Sequence, residues 1–66
     1  MAVMKVVEIM ANSKESWEDA TAKGIKKASE SIHDIRSAFV QSQSVVVKEG
    51  EVAEYRVTLK LSFEVM

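Results

Sequence analysis

Few residues in this chain could do chemistry. Glu15, Glu18 and Asp19 place three carboxylates within one short segment. Calcium takes roughly six to eight oxygen ligands, so this segment cannot complete a calcium site. Copies of it meeting at a symmetry axis could. By itself the cluster reads as the solvated start of a helix, where the backbone dipole favours acidic side chains. His33 is the single histidine; it cannot form a histidine metal site alone and reads as a surface or capping residue. The chain has no cysteine, which removes thiolate metal sites, thiol nucleophiles and disulfides. No glycine-rich phosphate loop is present, and no base is paired with a nucleophile. The chain is therefore expected to bind something rather than to be an enzyme.

The binding candidates lie in "IRSAFVQSQSVVV", residues 35–47. This stretch carries Ser37, Gln41, Ser42, Gln43 and Ser44 beside the aromatic Phe39. Such neutral groups can be buried at an interface or against a ligand when they are paired. They also suit a solvated sheet face.

With 66 residues the chain is one domain, 1–66. A domain of this size buries only about 60% of its unfolded surface and is marginal alone. Disulfides and a histidine or cysteine metal site are unavailable, so self-association is the expected source of further burial. The net charge is −1, without the basic excess of a nucleic-acid binder. No apolar run approaches the roughly 20 residues of a membrane span, and the N-terminal residues lack a signal-peptide pattern. No nucleic-acid or membrane partner is expected, and the expected location is the cytoplasm.

Four elements must position these groups. "MKVVEIM", residues 4–10, is β-branched and apolar and predicts a strand. Ser13 can cap a following helix. From Lys14 to about Ser31, Trp17, Gly24, Ile25, Ala28 and Ile32 recur at spacings of three and four, one apolar stripe. Trp17 belongs to that stripe, which predicts packing; Lys23, Lys26 and Lys27 fall on the solvated side. Gly24 within a helix costs up to about 1 kcal/mol relative to alanine, which a close helix–sheet approach would explain. Ile35 to Val47 predicts a second strand and "KEGE", residues 48–51, a turn in which Gly50 takes positive φ. From Val52 to Val65, apolar Tyr55, Val57, Leu59, Leu61, Phe63 and Val65 alternate with polar residues, a strand with one buried face. The expected class is α+β, a β-α-β-β chain whose first and third strands pair antiparallel, the third being central. A hairpin folded about residues 49–50 places Ala38 and Val40 near Leu61 and Leu59 under the helix. It places Ser37, Phe39, Gln41 and Gln43 on the uncovered face, the last two near Thr58 and Arg56.

With these pieces in order, the chain resembles the dodecin family. The resemblance rests on "MKVVEI", "NSKESWEDA", "SIHDIRSA" and "EYRVTLKLSFEV". It implies a β-α-β-β protomer with a three-stranded sheet wrapped partly round one helix. It also implies a hollow homododecamer that binds and stores a small ligand. Flavin-binding members stack paired flavins (FMN or riboflavin) on a tryptophan early in the second strand, and a glutamine of the third strand bonds the ring edge. Here Ser37 stands at the tryptophan position and Arg56 at the glutamine position, with Phe39 and Gln43 nearby. Serine has no π-face. A lost stack is worth roughly 1–3 kcal/mol per ring, so flavin binding is expected to be weak or absent. Other dodecin-like proteins lack this tryptophan and are associated with calcium, and "SWEDA" and "DIR" are more similar to that branch.

Overall fold

The computed structural model describes residues 3–65. The element order is β1 (Val3–Ser13), α1 (Trp17–Ala28), β2 (Ile35–Lys48) and β3 (Glu51–Val65). The strands form one antiparallel sheet in the order β1-β3-β2. This is the expected α+β architecture, with the third strand in the middle. Val57, Leu59 and Leu61 of β3 are fully buried together with Ala20 of the helix. Val7, Ile9 and Ala11 of β1 pack against this core, as do Trp17, Ile25 and Ala28 of α1.

The helix begins later than the sequence predicts. Both Ser13 and Ser16 can cap, and the structure gives them different tasks. The buried Ser13 hydroxyl accepts hydrogen bonds from the amides of Glu15 (2.9 Å) and Ser16 (3.4 Å) and turns the chain out of β1. Ser16 is the N-cap, its hydroxyl accepting from the Asp19 amide at 2.9 Å. Strand β1 accordingly runs on to Ser13 instead of ending at Met10. The helix stops at Ala28 rather than Ser31. There the amides of Glu30 and Ser31 bond the carbonyls of Lys27 and Ala28, three residues back, a tightening typical of helix ends.

Gly24 faces the sheet. A Cβ at this position would lie 2.9 Å from the Ala11 Cβ, 3.5 Å from Leu59 Cδ1 and 3.8 Å from Ile9 Cδ1. The glycine lets the helix press on the β1–β3 seam, as its cost within a helix implied. In the hairpin turn, Glu49 has φ 54 and Gly50 φ 79. Two successive positive φ values give the two-residue turn whose twist matches a hairpin.

The expected hairpin register holds near Ser37, Ala38 and Val40, which lie opposite Ser62, Leu61 and Leu59. It then fails. Gln41 is an extra, unpaired residue between Val40 and Ser42, and beyond it the partners shift by one. A bulge puts two residues opposite one and reverses the facing of the later residues in the strand. Gln43 therefore pairs with Val57, not near Arg56, and lies on the helix side of the sheet. The row of Arg56 holds Ser44 instead.

Candidate functional site

Two surfaces carry the residues singled out from sequence. The first is the sheet face opposite the helix. Its rows across β1, β3 and β2 are Val6–Ser62–Ser37, Glu8–Lys60–Phe39, Met10–Thr58–Ser42 and Asn12–Arg56–Ser44. Polar groups run down the middle strand, while Phe39 (64% exposed), Met10 and Val6 stand as isolated apolar groups beside it. Arg56 is not free: its Nε donates to Asn12 Oδ1 at 3.0 Å. That partner was not anticipated, although the pairing of a third-strand arginine with the end of β1 is a direct consequence of the antiparallel register.

Ser37 and Arg56 share this face but do not meet. Ser37 lies opposite Ser62, six residues along β3 from Arg56, or about 20 Å at 3.3 Å per residue. One planar ligand cannot touch both residues of the same chain. Phe39 is one row from Ser37. The residues of a single chain do not fit a stacked flavin: the Ser37 row offers no aromatic surface, and the nearest one, Phe39, is displaced along the strand.

The second surface is a cleft between α1 and β2. Its volume is about 470 Å³, and its walls include Trp17, Thr21, Ala22, Ile25, Val40 and Gln43. It exists because the helix sits over the β1–β3 seam and leaves the helix-side face of β2 partly bare. Trp17 closes one end. Its ring meets Tyr55 edge-on, with centroids 5.1 Å apart, a favoured aromatic geometry. Its indole N–H donates to the Ser44 carbonyl at 2.9 Å. Trp17 thus packs as its place in the apolar stripe implied, and Gln43 belongs with it.

The acidic residues at the helix start divide. The Asp19 carboxylate accepts from the Ser13 hydroxyl at 2.6 Å and pairs with Lys23 Nζ at 3.0 Å. The Ser13 hydrogen bond first, and then Lys23, hold its pKa below the ordinary 3.8. Asp19 is a structural latch between the end of β1 and the first helical turn. The signal for it was the pair of serines three apart followed by an acid, a doubled form of the capping pattern. Glu15 and Glu18 remain exposed. Among the described residues, no three acidic or histidine side chains are grouped to hold a metal ion. The described residues of one chain therefore do not complete a carboxylate-built calcium site. His33 is exposed at the junction before β2. Beside it, Asp34 takes φ 61, and Arg36 reaches Glu64 at 3.7 Å, an exposed pair of small energetic weight.

Among the described residues, no helix is long and apolar enough to cross a membrane. The family model for dodecin matches residues 3–66. A calcium dodecin of Mycobacterium tuberculosis is 39% identical over 64 residues, covering 97% of this chain and 90% of that protein. The crystal structure of a calcium-chelating calcium dodecin from the same organism, described with a novel calcium-binding site, matches at TM-score 0.85 and 38% identity, over 97% of this chain and 91% of that one. The tt0972 protein of Thermus thermophilus matches at TM-score 0.93 and 26% identity, over all of this chain and 97% of its own.

Proposed function

The chain belongs to the dodecin family, and from that premise we propose that it works as a closed shell of twelve copies that binds and stores a small ligand. The ligand is a cation such as calcium, ahead of flavin, and the role is cytoplasmic storage rather than turnover. The observation that carries this reading is the Ser37 row, where the stacking aromatic of flavin-binding relatives is replaced by a hydroxyl facing another hydroxyl, Ser62. Arg56, already bonded to Asn12, does not offer a neutral amide to a ring edge. Similarity to a calcium dodecin supports the cation. No single chain completes a calcium site among the described residues, so its oxygens would be gathered from several copies, with the exposed Glu15 and Glu18 as contributors.

Two titrations of the purified assembly test this. Calcium should bind, and riboflavin or FMN fluorescence should remain unquenched. The double variant Ser37→Trp, Arg56→Gln should bind flavin about ten- to a hundredfold more tightly than the parent, the worth of one recovered stack. Tight flavin binding by the parent would overturn the preference for a cation. In that case Phe39 and Arg56 would be the ligand-holding residues.

A further inference from the structure

The hairpin runs past the rest of the fold. Strand β1 pairs with β3 only from Tyr55 to Val65, so residues 46–54 stand as a two-stranded arm beyond it. A lone two-stranded ribbon is marginal in water, yet this one also exposes valines behind its charged tip. Val45 at its base, Val47 (59% exposed) and Val52 (51% exposed) lie on the helix side of the sheet. The chain measures 50 × 19 × 14 Å with a radius of gyration of 13.4 Å, against about 11 Å for a compact domain of this length. Its accessible surface is 4891 Å², roughly 700 Å² more than a compact monomer of this mass exposes. That excess is close to one partner's share of a standard protein interface.

We infer that the arm of one copy docks in the α1–β2 cleft of the next, its valines entering between Trp17, Ile25 and Val40. The inference rests on the shell reading above and names the contact that builds it. The occupant is a second copy of this chain because the excess surface matches one partner's share of an interface and because arm and cleft complement each other in shape. The cleft is concave and mostly apolar, with Glu18 in its wall, and the arm carries exposed valines clear of the body. The outward helix surface is charged and the face bearing Phe39 is broad, so neither enters a cleft. Arm and cleft are different patches, so the contact is head-to-tail, and such contacts close into rings when the rotation permits.

The chain has no cysteine, so a pair of new ones gives a clean readout. Trp17 bonds Ser44, and Ala22 and Val47 lead away from that point in opposite directions. Within one chain they are about 17 Å apart at roughly 1.5 Å per helical and 3.3 Å per strand residue, too far for a disulfide. The variant Ala22→Cys, Val47→Cys under mild oxidation should give a ladder of covalently linked chains on a non-reducing gel. A correctly assembled variant that stays unlinked would overturn the contact while leaving the shell reading intact. Parent protein found as single chains by native mass would overturn both. Val47→Asp supplies a second check. It should keep the far-ultraviolet circular dichroism of the parent and lose the assembled mass, and an unchanged assembly would contradict the inference.

Discussion

One helix treats the two halves of its sheet differently. Over β1 and β3 it approaches until a Cβ on Gly24 would meet Ala11 at 2.9 Å, and Leu59 and Leu61 beneath it are fully buried. Over β2 it stands off, leaving a cleft of about 470 Å³ walled by Trp17, Ile25 and Val40. The cause is the size of the side chains on each flank. Ala11, Ala20, Gly24 and Ala28 close one side; Trp17 and Ile25 prop open the other. The closed half is where the single chain gets its stability, and the open half leaves Val40 exposed.

The largest expected effects break the closed half. Leu59→Ala removes the centre of the core and should cost about 2–5 kcal/mol, whereas Val40→Ala on the open side should cost well under half of that. Denaturant unfolding of the two variants measures the contrast directly; equal losses would erase the distinction between the halves. Next in size is Gly24→Ala. Helix propensity alone predicts a gain of up to about 1 kcal/mol. The clash with Ala11 Cβ has no flexible side chain to relieve it, so we expect a net loss of about 1–3 kcal/mol. A rise in stability would mean that the helix can lift from the seam.

The smallest effect concerns the latch at the entrance to the closed half. Asp19 has a lowered pKa in the folded chain, chiefly through the Ser13 hydroxyl and then Lys23. A depressed carboxylate contributes stability that is fully present above its unfolded value, near 3.8, and is lost as pH falls through its folded value. Asp19→Asn should therefore be less stable than the parent at neutral pH and approach it below about pH 4. A stability gap that stays constant with pH would show that the latch is not carried by the charge. Unfolding curves at several pH values decide between the two.

Much of the closed half was legible in the sequence. The strict alternation from Tyr55 to Val65 fixes which face of β3 is buried, and Gly24 within an apolar stripe marks the close approach. Gly50 marked the hairpin turn. The features that stayed hidden lie on the open side. The bulge at Gln41 sits in a run of alternating serine and glutamine, where an extra residue leaves no trace in the pattern, so Gln43 was assigned to the wrong face. The helix start was displaced because Ser13 and Ser16 are chemically alike and only the packing of β1 tells them apart. Ser37 and Arg56 were matched through the family resemblance, and each lies on the predicted face. Their separation of about 20 Å in one chain explains why no single protomer presents them as one site: sequence assigns residues to a face but not to a neighbour.

The most direct test of the account is the native mass of the purified protein at micromolar concentration. A closed assembly of twelve chains is the predicted result, with the open half of each copy covered by its neighbours. A stable, folded single chain would contradict it, because the cleft and the arm would then be complete without a partner.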